Sequence, residues 1–107
     1  RQVFHLRTYY DNRGVVLVEG IVDALRVAPF ANVAAILSSN VHEEQLFHLS
    51  NTYESVGLMF DRDVPVSKKL AQLKRARAMF PTAYLIHCPG EDPGSCSDSL
   101  LEEVLYE

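Results

Sequence analysis

The sequence predicts an α/β domain built on a four-stranded parallel sheet with helices on both faces. Three observations lead there. Four short apolar runs, at residues 15–18, 33–37, 56–60 and 83–87, show almost no alternation of polar and apolar side chains. Strands buried on both faces read that way. Between the runs, apolar residues recur at helical spacing, and strand–helix alternation is the pattern of a parallel sheet closed by crossover helices. Finally, 107 residues, 48% of them hydrophobic, suffice for one domain with a real core and are too few for two.

The elements follow in order. Residues 1–12 are read as a short lead-in helix, closing on the turn signal Asn12-Arg13-Gly14. The strand at 15–18 is stopped by Glu19-Gly20. Ile21, Ala24, Leu25 and Ala28 then mark a helix that Pro29 ends. After the strand at 33–37, Ser38-Ser39-Asn40 offers N-caps for a helix carrying Leu46, Phe47 and Leu49 and reaching about Ser50. The strand at 56–60 is broken by Asp61. Pro65 suits a first helical turn, and Leu70, Leu73, Ala76 and Phe80 trace one apolar face of the helix it opens. Lys68, Lys69, Lys74 and Arg75 lie largely off that face, which makes the helix basic toward solvent. A Pro/Gly/Ser-rich loop at 89–97 follows the last strand, and Leu100, Leu101, Val104 and Leu105 suggest a closing helix.

Composition removes several classes of function. A formal charge of −4 argues against a surface that attracts nucleic acid everywhere. No apolar run approaches the roughly 20 residues of a membrane span, and residues 1–7 lack the layout of a signal peptide. A cytoplasmic domain with no membrane partner is expected. The chain opens on Arg1 rather than Met, so part of a longer protein is expected too. Cys88 and Cys96 have neither the number nor the spacing of a disulfide framework or a zinc site, even with His87 as a third ligand, and are read as buried or incidental thiols.

The chemistry is carried by acids. Glu19 follows the first strand, with Asp23 one helical turn later. Asp61 and Asp63 follow the third strand, and Glu91-Asp92 follows the fourth. Right-handed crossovers put the carboxyl ends of parallel strands on one edge, where such sheets bind ligands. Carboxylates gathered there repel one another unless a cation sits among them. Oxygen ligands without converging His or Cys select a hard ion such as Mg2+ over zinc. An Asp-x-Asp pair leaving a strand is expected to send both side chains one way, because strand period is two. Taken singly, Asp23 and Glu91 read equally well as charges that complement a helix N-terminus.

These residues also resemble a known family. The stretch Val15-Val16-Leu17-Val18-Glu19-Gly20-Ile21-Val22-Asp23-Ala24-Leu25 resembles the Glu-Gly-x-x-Asp signature of Toprim domains, and Leu58-Met59-Phe60-Asp61-Arg62-Asp63 resembles their Asp-x-Asp motif. Gly90-Glu91-Asp92-Pro93 is similar to the acidic Asp-Pro loop of DnaG-type primases and phage primase-helicases, which the chain resembles most. The resemblance implies a Toprim-like, Rossmann-like fold and nucleotidyl transfer on nucleic-acid phosphates. Glu19 would be catalytic, Asp61, Asp63 and Asp92 would hold Mg2+ (or Mn2+), and Asp23 and Gly20 would support them. Nucleic acid, nucleotides and a helicase or other domains of the parent protein are the implied partners, and Lys68, Lys69, Lys74 and Arg75 are a candidate backbone-binding face. The chain departs from the primase pattern in three places. It has Val64-Pro65-Val66 after the Asp-x-Asp, Leu37-Ser38-Ser39 before the second helix, and Gly94 where a second acid often follows Asp-Pro. A stand-alone Toprim nuclease and a non-catalytic metal- or nucleic-acid-binding module are alternatives. A receiver-like phosphoacceptor domain fits poorly, since residues 83–93 hold no Lys.

Overall fold

The computed structural model describes residues 4–37 and 42–105. Ten elements follow one another. They are β1 (Phe4–Leu6), β2 (Gly14–Val18), α1 (Ile21–Val27), β3 (Val33–Ala35), α2 (Glu43–Ser50), β4 (Ser55–Leu58), α3 (Val66–Arg77), β5 (Thr82–Leu85), a 3-10 turn (Pro93–Ser95) and α4 (Asp98–Leu105). One five-stranded sheet has the order β1-β3-β2-β4-β5. The four strands anticipated from the apolar runs are its parallel part, with Val16 opposite Val33, Leu17 opposite Leu58 and Val56 opposite Ala83.

The fifth strand is an addition. β1 pairs antiparallel with β3, Phe4 facing Ala35, where a lead-in helix was expected at residues 1–12. Three residues are too few to display a period, and what makes them a strand is the otherwise open edge of β3. His5 anchors this edge through a hydrogen bond between its Nε2 and the Tyr53 hydroxyl. Asn32, fully buried, secures the connection that follows. Its amide donates to the Tyr9 carbonyl at 2.8 Å and accepts from the Tyr9 N–H at 2.7 Å.

Side chains alternate across the sheet and build two cores. Val15, Leu17, Val56 and Leu58 pack with Leu46 and Leu49 of α2 and Leu73 and Ala76 of α3. Val16, Val18, Val33 and Ala35 pack with Ala24 and Val27 of α1 and Leu101 of α4. Some helix faces are rotated from expectation. α1 buries Asp23, Ala24 and Val27, leaving Ile21 and Leu25 largely exposed, and Phe47 and Leu70 are exposed as well. A seven-residue helix has room for only one buried stripe, so apolar spacing alone does not say which stripe meets the sheet. β3 ends at Ala35, short of the expected 37, because Leu37 takes a left-handed φ of 63°. The caps anticipated at Ser38-Ser39-Asn40 lie outside the described residues, and α2 begins after an N-cap at His42. No helix among the described residues is long and apolar enough to cross a membrane.

Candidate functional site

The sheet order brings the first two acidic motifs together. β2 is central, and its chain moves to β3 on one side before returning across α2 to β4 on the other. Strand order reverses here, which is where open α/β sheets hold their ligands. Glu19 is the first residue beyond β2, and the buried Met59 and Phe60 carry the chain from β4 to Asp61. Glu19 Oε1 and Asp61 Oδ1 are both buried, and neither has a hydrogen-bond partner. Buried acceptors without donors are uncommon and point to an ion or a shared proton. Glu19 accordingly titrates high. Burial pushes its carboxyl up to about 7, aided by the neighbouring Asp61 side chain and by the charges of Asp61, Asp23 and Asp63.

Asp61, Arg62, Asp63, Glu91 and Asp92 line a cleft of about 530 Å3 at this edge. Asp63 reaches it by a route other than strand alternation. Residues 61–64 form a turn closed by the Val64 N–H on the Asp61 carbonyl at 3.1 Å, so Asp63 stands exposed at the cleft mouth while Asp61 is half-buried. The Arg62 N–H donates to the Glu91 carbonyl at 2.7 Å and ties this turn to the loop after β5.

Asp92 and Asp23 have structural duties as well. Asp92 Oδ1 accepts from the Ser95 N–H at 2.9 Å and caps the 3-10 turn, which commits one of its two carboxylate oxygens. Asp23 Oδ1 accepts from the Gly94 N–H at 2.7 Å, fastening the acidic loop to α1. Burial raises the Asp23 pKa. The hydrogen bond from Gly94 opposes that shift, while the charges of Asp61 and Asp92 add to it. Gly20 has extended backbone (φ −119°), and a Cβ there would meet only Asp23 Oδ2 at an ordinary 3.5 Å, so shape does not demand glycine.

Gly94 is the residue that sequence reasoning undervalued. A Cβ at this position would lie 2.8 Å from Asp23 Oδ1 and 3.4 Å from Asp92 Oδ1. An acid there would crowd the Asp23 carboxylate and set like charges side by side. The expected result of Gly94→Ala is a loss of roughly 1–2 kcal/mol, read from urea unfolding, with Asp23→Asn not adding to it in full. Arg62, the middle residue of the Asp-x-Asp, also lies on the cleft wall, as a cation among acids. Nothing in the spacing of the motif singles it out.

The basic residues stand apart from the acids. Lys74 is exposed, Lys68, Lys69 and Arg75 are half-buried, and none of the four lines the acidic cleft. Lys69 instead joins Leu58, Phe60, Leu85, Ile86 and His87 around a separate cavity of about 230 Å3. Cys88 and Cys96 are buried free thiols, and burial pushes Cys88 up to about 11.

The donor set suits a hard divalent ion. The orphaned Asp61 lines a cleft whose other acids are Asp63, Glu91 and Asp92, and the buried Glu19 carboxyl lies beside Asp61. Among the described residues no three His, Cys, Asp or Glu side chains form a ready-made metal cage.

Two solved structures share this architecture. The primase of Aquifex aeolicus, in a crystal structure of its zinc-binding and RNA polymerase domains, superimposes over 91% of this chain with a TM-score of 0.74 at 22% identity. A DNA primase domain from Pseudomonas aeruginosa superimposes over 87% with a TM-score of 0.60 at 26% identity. Its structural neighbours are DNA primase domains. The chain spans 26% of the first neighbour and 30% of the second. By sequence alone, no family model and no curated protein matches. The primase-like fold agrees with the Toprim resemblance of the three acidic motifs, which occupy the ends of β2, β4 and β5 in that order.

Proposed function

We propose that this chain is the metal-binding catalytic domain of a primase-type nucleotidyltransferase. The observation that carries the reading is the pair of buried, partnerless carboxylate oxygens of Glu19 and Asp61 at the strand-order reversal. Asp61 and Asp63 would hold Mg2+ or Mn2+, with Asp92 contributing the oxygen not used in capping. The ion would supply charge stabilisation to attacking and leaving phosphate oxygens.

The protein's own groups do the rest. Glu19, beside the acids that would hold the ion, would be ionised once the ion is bound and could then take a proton from an attacking hydroxyl. Arg62 on the cleft wall is placed to attract a phosphate that the surrounding acids would repel. Asp23 and Gly94 hold the Asp92 loop against α1, which fixes the far wall of the cleft. The test is nucleotide incorporation on a single-stranded template by the parent protein, with Glu19→Gln as the comparison. Primer-length products that vanish in the variant support the reading, whereas template cleavage without synthesis would replace it with a nuclease.

Nucleic acid is the partner this reading requires. Lys68, Lys69, Lys74 and Arg75 on α3 are the proposed backbone contact, away from the acid cleft. Charge reversal at Lys68 and Lys74 together should flatten the salt dependence of single-stranded DNA affinity by about one to two counterions. Fluorescence anisotropy across a salt series measures it, and an unchanged slope removes this face.

A further inference from the structure

The loop that carries Glu91 and Asp92 is bracketed by the protein's two cysteines. Cys88 sits at its start and Cys96 at its end, and both are 4% exposed within the core beneath α1 and α4. The two side chains pack in the same core cluster, close enough for Cys96 to help raise the pKa of Cys88. Cys96 Sγ donates to the Asp92 carbonyl at 3.3 Å, and a Cβ built on Gly90 would stand only 3.0 Å from that sulfur. Cys96 Sγ thus sits against the loop's own backbone, Cys88 packs in the core at its start, and the loop's Glu91 and Asp92 line the cleft.

We propose that Cys88 and Cys96 form a reversible disulfide that locks the acidic loop and alters the cleft. The oxidant is a small-molecule disulfide such as glutathione disulfide. One cysteine sulfur attacks it, releasing one glutathione and leaving a mixed disulfide. The second cysteine then displaces the other glutathione, forming the internal S–S bond. Two electrons pass from the protein sulfurs to the oxidant, and both thiol protons leave with the two reduced glutathiones.

Burial sets the condition for the reaction. The sulfurs become reachable only when the loop opens. Its polar ties to the body include the Gly94 N–H on Asp23, the Arg62 N–H on Glu91, and Arg26 Nη2 on the Cys96 carbonyl at 2.7 Å. Opening must also lift Pro93 and Cys96 out of the core, and the disulfide requires that this happen locally, below the free energy of global unfolding. Once formed, the disulfide replaces the Cys96 Sγ contact with the Asp92 carbonyl. That contact sits one residue beyond Glu91 and on the capping residue itself, so the geometry of the cleft wall must change.

The test is incubation of the folded chain with glutathione disulfide in EDTA, followed by intact mass and peptide mapping. The expected product is lighter by about 2 Da, carries no glutathione and contains linked Cys88 and Cys96 peptides. It reverts with dithiothreitol. Cys88→Ser and Cys96→Ser should each stop at a stable glutathione adduct on the remaining thiol. Thiols that stay free until denaturant is added, or wild-type protein that accumulates only adducts, would overturn the proposal. A second arm measures Mn2+ affinity of oxidised and reduced protein, with an expected difference of at least about threefold. This arm alone rests on the proposed metal site. If Mn2+ binds with equal affinity in both forms, the lock has no effect on the cleft and the regulatory half is wrong. If Mn2+ binds neither form while the disulfide forms, the metal reading fails and the disulfide stands.

Discussion

Replacing Asp61 and Asp63 together with Asn should lower Mn2+ affinity by at least about 100-fold. The two acids enter the cleft at different depths, Asp61 half-buried and Asp63 at the mouth. Asn keeps an oxygen at each place and removes both charges, so the loss isolates electrostatics from shape. Titration calorimetry reads the affinity directly. Thermal melts give a second reading, because a ligand that binds only the folded chain raises the midpoint with its concentration. The parent should show that rise and the double variant should not. Equal rises in both proteins would remove these two residues from the metal site.

Glu19→Gln should abolish metal-dependent activity of the parent protein by about 100-fold or more while stabilising the isolated fold in EDTA. The folded-state pKa of Glu19 is raised from 4.5 to about 7, so the folded chain holds a proton that the unfolded chain has released. Its favourable contribution is therefore fully present below about pH 4.5 and is lost as pH rises through about 7. Gln behaves as a permanently neutral carboxyl. At pH 8 the variant should be more stable by about 1 kcal/mol, a figure reduced for solvent screening at this half-buried position. Below pH 4.5 the two proteins should melt together. A variant that melts lower at pH 8 would mean that Glu19 serves the fold. Metal binding displaces the same proton, so Mg2+ affinity of the parent should also climb as pH rises through 7.

Much of this site was legible because the acids sit where strands stop. Runs of β-branched residues gave the parallel strands, and placing Glu19, Asp61 and Asp92 after three of them needed only the rule that such strands share a carboxyl edge. The Asp-x-Asp pair reached the same cleft by a turn instead of by strand alternation, since Val64 closes back on Asp61. β1 was not legible. Its strand identity comes from a partner edge thirty residues away, and Phe4-His5-Leu6 contains no local signal for it. Gly94 was misjudged for a related reason. Read in sequence it is a missing acid, while in space it is where the loop's N–H meets Asp23 and where a Cβ would crowd that carboxylate. Helix orientation was the third failing. Ile21, Leu25, Phe47 and Leu70 are apolar yet exposed, because short helices offer more apolar positions than one buried stripe can absorb.

The strand order has a kinetic consequence. β2 and β3 are closer in sequence than β2 and β4, which are separated by β3 and α2. Closure of the β2–β4 pair, and with it the meeting of Glu19 and Asp61, is therefore expected late in folding. Charges that meet after the transition state leave the folding rate untouched and shorten the lifetime of the folded state instead. On that order the acid cluster should shorten the lifetime of the metal-free domain, and a bound cation should act as a brake on its unfolding.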